Sequence, residues 1–337
     1  MITSLITHYV GNAVLQHPLK LSEVCWDLPQ ASKELLEEKI LLQFKSLEEF
    51  EFKHEVSLQH HTLYQEVKKI FVGKEAFVTS SQEIASRLYH LASNPRTPDG
   101  HLLIAKIEKD PETEADYDKL LILKLESMGF YLKSEQDDEQ VELHLSEGFI
   151  LDKIDKGCLV YNTNEDNGYV AHVFDRKKGA DAAYWFDNFL NVAPRANEFF
   201  HTNETLALYK SYISKQLPAE FEVSKADQAE FLNRTMDFFS EKDHFDFNEF
   251  TESVLEDKEL IESFVNYKTD HEHQTQVSIS EDFNIDPLAV KKNQRFFKSV
   301  IKLDKNFHIY VHGDRKRIET GQDEKGKYYR LYFDEEK

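Results

Sequence analysis

Three runs of the chain hold side chains of the types that bind metals or move protons. The first, Asp243-His244-Phe245-Asp246-Phe247-Asn248-Glu249, is rich in carboxylates. It lacks the glycine and the terminal glutamate of a calcium loop, so helix capping and solvation explain it better. The second, His271-Glu272-His273, sets its imidazoles two residues apart. Two ligands on one helical face need a spacing of four, so a surface loop is the expectation. His60-His61 reads the same way. Cys158 reads as a small buried strand residue. Only 11 glycines are present, and neither GxGxxG nor GxxxxGKS/T occurs, which removes the usual phosphate loops. There is no nucleophile elbow either. No catalytic residue, metal or cofactor is therefore expected, and a hydrolase whose site assembles only in space ranks last among the readings.

The cations are more informative. Between Pro287 and Arg317 lie Lys291, Lys292, Arg295, Lys298, Lys302, Lys305, Arg315, Lys316 and Arg317, opposed only by Asp304 and Asp314, a net of +7. The 68 residues before it, from Ala219 to Asp286, carry 19 acids and five bases, a net of −14. Two readings follow. The basic segment is a phosphate-contacting surface, with Phe296, Phe297 and Tyr310 as flat partners. Alternatively it docks on the acidic helices of the same chain. A smaller cluster, Arg176-Lys177-Lys178 before Gly179, lies between a strand and a helix start, where backbone amides could add to an anion site.

The whole chain carries 41 bases against 62 acids, a net of −21. That excludes a protein that coats DNA through its bulk charge, while leaving room for a local basic site. Two cysteines, Cys25 and Cys158, cannot build a disulfide framework, and a reduced cytoplasmic setting is the simpler reading. No apolar run approaches the roughly 18–20 residues of a membrane span. Met1-Ile2-Thr3-Ser4-Leu5 lacks the basic start of a signal peptide.

The elements that must position these groups follow from periodicity. Ile2 to Val10 reads as a strand, and Leu19 to Trp26 as a second. A helix begins at Pro29, with Asp27 as its cap and Leu35, Leu36, Ile40, Leu41 and Leu42 as its stripe. A further helix spans Ser81 to about Ala92. Leu102–Ile107 and Leu120–Leu125 are continuous apolar runs of the kind buried at a sheet centre. Phe130–Lys133, Val141–Leu145, Cys158–Tyr161 and Tyr169–Phe174 read as strands, the last two joined by the turn signal Asn164 to Gly168. A helix starts near Gly179, with Ala182, Trp185, Phe186, Phe189 and Leu190 on one face, which is expected to pack on the preceding strands. Residues 203–268 read as helical throughout, with capping boxes at Ser224/Asp227 and Asp246/Glu249. Phe296–Leu303, Phe307–Val311 and Tyr328–Phe333 alternate as a small antiparallel meander.

The run Gly148-Phe149-Ile150-Leu151-Asp152-Lys153-Ile154-Asp155, the strand ending at Phe174, the turn Arg176-Lys177-Lys178-Gly179 and the aromatic helix Tyr184-Trp185-Phe186-Asp187-Asn188-Phe189-Leu190 resemble the NdpA-type (YejK-like) bacterial nucleoid-associated protein family. The helical stretch after Pro194 and Asp314-Arg315-Lys316-Arg317-Ile318 near the end agree with it. The resemblance implies a cytoplasmic protein of the nucleoid that associates with DNA or with proteins working on DNA, and it brings no catalytic residues. The expectation is an α+β fold: a mixed-sheet domain with flanking helices over 1–192, then a helical segment with a small antiparallel β meander over 193–337. The leading function is a non-enzymatic nucleoid-associated protein with no cofactor. It would contact DNA locally and without sequence preference through Lys291, Lys292, Arg295, Lys298, Arg315, Lys316, Arg317, Arg176, Lys177 and Lys178. The alternative is an acidic interaction protein that binds a cationic surface of a DNA-processing protein.

Overall fold

A computed structural model describes the chain except for residues 46–47, 113–115, 137–140, 178–183, 276, 298–299, 304–305, 311–316 and 336–337, and the side chains of Lys74, Val300 and Lys302. Of the basic residues singled out above, Lys178, Lys298, Lys305, Arg315 and Lys316 lie outside the described residues, as do Gly179, Ala182 and the side chain of Lys302. The chain divides into two compact units, Met1–Arg195 and Ala196–Lys337.

The first unit is built on eight strands: β1 (Ile2–Val10), β2 (Leu19–Lys20), β3 (Glu49–Phe52), β4 (Gly100–Ile107), β5 (Lys119–Leu125), β8 (Lys156–Tyr161), β9 (Val170–Asp175) and β10 (Val192–Pro194). Their order is β10-β3-β9-β8-β5-β4-β1-β2. The fold is α+β, but the sheet expected to be mixed is antiparallel in every described pairing. The reason is connectivity. From β4 to β9 the chain reverses through turns or through the hairpin β6 (Met128–Gln136) and β7 (Val141–Phe149), and no crossover helix intervenes to make neighbours parallel.

Leu120 to Leu123 are buried on both faces of the sheet, which is why β5 reads as a continuous apolar run. One face, with Ile6, Ile104, Ile122 and Val160, packs on α2 (Thr62–Val72), α3 (Phe77–His90) and a π-helical segment, Tyr184–Leu190. Trp185 and Phe189 of that segment are fully buried there, as their spacing predicts. The other face, with Leu5, Leu103, Leu121 and Leu159, is covered by Ile40 and Phe44 from α1 (Gln30–Leu41) and the turn after it. In α1 only Ile40 is buried. Leu35 and Leu42 are exposed, and Pro29 rather than Asp27 holds the N-cap position, without a side-chain cap. The expected strand over 19–26 shrinks to Leu19–Lys20.

Gly168 closes the turn before β9 at φ +90°. A Cβ there would stand 2.2 Å from the Phe52 carbonyl oxygen, so both the conformation and the approach of β3 require glycine. Pro194 sits in β10 at the edge of the sheet, where a missing N–H costs no ladder bond.

The second unit packs α4 (Glu198–Ser211), α5 (Lys225–Glu241), α6 (Phe247–Val254), α7 (Lys258–Thr275) and α8 (Pro287–Gln294) around an aromatic core. Phe245 stacks on Phe283 with centroids 4.6 Å apart and on Phe239 at 5.4 Å. The Ser224/Asp227 capping box opens α5, and Asp246 caps α6 by accepting from the Glu249 N–H at 2.8 Å. A two-stranded ribbon, β11 (His244–Asp246) with β12 (Asp282–Asn284), interrupts the helical stretch. The last part forms two separate hairpins, β13 (Val300–Leu303) with β14 (Phe307–Tyr310), and β15 (Ile318–Asp323) with β16 (Gly326–Leu331). Ile301 and Ile318 pack together with Ala226 of α5.

Candidate nucleic-acid interface

Lys291, Lys292 and Arg295 come from α8 and its C-cap. Asp286 starts that helix by accepting from the N–H groups of Leu288 and Ala289, at 2.8 and 2.9 Å, and Pro287 follows at the first helical position. Ala289, Val290 and Asn293 are its buried face, and the Asn293 amide donates to Asn203 Oδ1 at 3.1 Å, fixing α8 on α4. The three cations lie on the outward side and are exposed. They sit at the C-terminal end, where the helix dipole favours positive charge. Lys292 Nζ stands 5.0 Å from the centre of the Phe199 ring. The exposed Phe296 ring carries two cations, Arg295 at 4.6 Å and Lys210 of α4 at 5.1 Å. This is a cationic and aromatic patch able to meet phosphates and stack on bases. Lys210 carries no signal in the sequence, because only the packing of α4 against α8 brings it there. Phe297, expected as a flat partner, is instead buried in the core, while Tyr310 is exposed on β14.

Arg317 stands just before β15, and its guanidinium donates to Asp334 at 2.6 Å on the surface. Such an exposed pair contributes about 0–1 kcal/mol and exchanges readily. Arg330 on the same hairpin pairs with Glu319 at 3.4 Å.

The cluster at 176–177 belongs to the first unit and has a different setting. Arg176 donates to the Asp152 carbonyl at 2.9 Å and to Gln43, and its guanidinium covers the Phe174 ring at 5.2 Å. Lys177 donates to Glu126 at 2.7 Å and lies 3.7 Å from Asp155. The Glu126 side chain is fully buried and also meets Lys124 at 3.0 Å. Register builds this network: Lys124 faces Lys156 across β5 and β8, and Lys156 faces Asp175 across β8 and β9, bonding it at 2.8 Å. Burial lowers the Lys124 pKa against the pull of Glu126. For Asp155 burial acts upward, but the N–H groups of Glu126 and Ser127, the Ser127 hydroxyl and Lys177 outweigh it and hold the carboxyl below its usual range. Three lysines and three carboxylates thus neutralise one another at one end of the sheet. A third buried lysine of the sheet, Lys106, donates to the Ile70 carbonyl at 3.0 Å, near the C-terminus of α2.

The remaining candidates serve structural roles. His61, expected in a surface loop, is buried. Its Nδ1 accepts from the Tyr64 N–H at 3.0 Å and caps α2. His271-Glu272-His273 lies on the last turns of α7 rather than in a loop, and Glu272 accepts from the Ile279 N–H at 2.7 Å. Cys158 is a buried strand residue whose thiol pKa is pushed up by burial. Among the described residues no group of three or more His, Cys, Asp or Glu is placed to hold a metal ion. Among them, too, no helix is long and apolar enough to cross a membrane. On α7 a cleft of about 530 Å³ is lined by Glu220, Glu259, Glu262 and Asp270, an acidic counterpart to the α8 patch.

No curated protein matches the chain. The family model described as nucleoid-associated protein YejK matches residues 6–325. That span takes in the sheet, the basic turn, the helical unit and the hairpins up to β15, and the chain belongs to the nucleoid-associated protein YejK family.

Proposed function

We propose that this member of a nucleoid-associated family is a non-enzymatic protein that contacts DNA through a local basic surface centred on Lys291, Lys292 and Arg295. The supporting observation is the exposed end of α8, where three cations and the Phe296 ring share one patch. Arg317 extends the surface by exchanging Asp334 for a phosphate, and Lys298, Arg315 and Lys316 continue it in sequence. Arg176 and Lys177 contribute less, because their partners include a carbonyl and a buried carboxylate that DNA cannot replace. Contact is to phosphates, so little base preference is expected. The net charge of −21 repels the duplex everywhere else and confines it to this patch.

The test is a DNA titration at several salt concentrations. Three phosphates neutralised give a slope of about −3 in log K against log salt. Substitution of Lys291, Lys292 and Arg295 by Gln should abolish binding and lower the melt only slightly, since each charge lost at the helix C-terminus costs about 0.3–1 kcal/mol. Wild-type protein that retains no DNA at low salt refutes direct contact. The acidic cleft on α7 supports the second reading, in which the protein engages a cationic surface of a DNA-processing protein. Substitution of Glu259 and Glu262 by Gln would then remove that association and leave DNA affinity unchanged.

A further inference from the structure

The β6–β7 hairpin has two unlike faces. Residues directly opposite share a face, and the register pairs Phe130 with Glu147, Leu132 with Leu145, Ser134 with Leu143 and Gln136 with Val141. That face carries Met128, Phe130, Leu132, Val141, Leu143 and Leu145, all more than half exposed; Phe130 and Leu145 reach 70 %. The other face is polar: Lys133 bonds Glu135 at 2.6 Å, and His144 stands 3.4 Å from Glu142. Among the described residues the two strands pair only with each other, so both outer edges are bare. A lone two-stranded ribbon is marginal in water, and a long apolar edge is an aggregation hazard unless covered.

We infer that this face is the contact between two copies of the chain, packed hairpin on hairpin about a two-fold axis near the Leu132/Leu145 pair. The six side chains expose on the order of 700–800 Å², close to the ~800 Å² per partner of a standard interface. The chemistry selects the occupant. Among the described residues the face has a single charge, Glu147, and no cation, so it suits neither nucleic acid nor a cationic protein. An apolar ribbon of the same length and shape is what a second copy supplies, and two-fold symmetry makes the patch self-complementary. An antiparallel arrangement also keeps the Glu135/Glu142 ends of the two hairpins apart.

Each copy carries −21, so the rest of the surface opposes association. Screening therefore tightens the dimer as salt rises, the reverse of the salt dependence expected for DNA. Sedimentation of the full chain at tens of micromolar should show a dimer that strengthens with salt. Leu132→Glu with Leu145→Glu should weaken it more than tenfold, while Lys133→Ala on the polar face leaves it intact. If the charged pair perturbs folding by far-UV circular dichroism, Leu132→Ser with Leu145→Ser makes the same test. A wild-type monomer at both salt concentrations overturns the inference, as does a dimer that survives the folded double variant. A DNA titration that fails leaves it standing, since the two sites share no residue.

Discussion

Two basic runs, Arg176-Lys177 and Lys291-Lys292 with Arg295, look alike in sequence and differ in what folding does with them. The first follows β9 and meets carboxylates brought by the ends of β5, β8 and β9. Lys177 is held by Glu126, whose side chain water does not reach. The second ends a helix whose apolar side is occupied, and its charges face solvent beside aromatic rings. A lysine on a buried carboxylate is part of the fold, because removing either partner strands the other in low dielectric. A lysine in water is available to a ligand. Local net charge does not separate the two cases; strand register does.

The largest effects should come from the buried side of this contrast. Glu126→Ala leaves Lys124, Lys156 and Lys177 under-neutralised and should cost about 3–5 kcal/mol. Both tryptophans, Trp26 and Trp185, lie in the first unit, so their fluorescence during denaturation reads that unit alone. A Glu126→Ala protein that melts like wild type would erase the distinction between the runs. Trp185→Ala, in the segment that follows the basic turn, should cost about 3–5 kcal/mol as well, through the cavity it opens. That variant keeps only the exposed Trp26 as a fluorescent reporter, so calorimetry is the measurement there.

Acid should separate the units next. His8 is fully buried; its Nδ1 accepts from the Ser22 N–H at 3.0 Å and its Nε2 lies 3.0 Å from the Ser81 hydroxyl. Burial pushes its pKa down from 6.5 to about 4. A depressed histidine pKa means that the unfolded chain binds the proton first. The stabilisation is then full above pH 6.5 and is lost as pH falls toward 4. This residue contributes on the order of 2–3 kcal/mol over that window. His61, His101 and His172 are depressed by burial too and act in the same direction. In the second unit His201 is depressed by burial, but His244 is raised by Asn284 and Asp282 and opposes the trend. Tryptophan fluorescence should therefore report loss of the first unit at higher pH than the helical signal of the second is lost. His8→Asn should flatten the dependence between pH 6.5 and 4; an unchanged acid limb would remove His8 from the account.

How far the sequence reveals this depends on whether a signal is local. The central strands were legible because burial on both faces leaves uninterrupted apolar runs such as Leu120–Leu123. The Ser224/Asp227 cap and the Asn164–Gly168 turn were legible because their chemistry lies within a few residues. Helix α2 was not, since its cap is His61, outside the Ser/Thr/Asp/Asn pattern. Strands β3 and β10 are too short to show a period, and β15, Ile-Glu-Thr-Gly-Gln-Asp, has one buried residue and no alternation. The buried lysines Lys106, Lys124 and Lys156 follow no local rule, because the Ile70 carbonyl, the Pro98 carbonyl and the Asp175 carboxylate that they bond are delivered by the tertiary fold. For the α8 patch the cations were legible, while the exposure of Phe296, the burial of Phe297 and the arrival of Lys210 were not.

The smallest effect falls between the two extremes, at Arg317. Its partner Asp334 is exposed, so this pair resembles the first run in being bonded and the second in being wet. Asp334→Asn should change stability by less than about 1 kcal/mol, since an exposed ion pair in high dielectric returns little more than its two side chains lose in freedom. Its consequence for DNA is larger than for the fold. With the Asp334 carboxylate neutralised, Arg317 has one anion fewer to exchange before meeting a phosphate. Affinity at low salt should rise several-fold, and if Arg317 becomes a full additional contact the slope of log K against log salt should steepen by about 0.9. Arg317→Ala should lower affinity and leave the melt in place. An Asp334→Asn protein with unchanged affinity and slope would mean that Arg317 faces away from the duplex and that the DNA surface ends with α8. A large loss of stability in either variant would move Arg317 to the side of Lys177, as a cation committed to the fold.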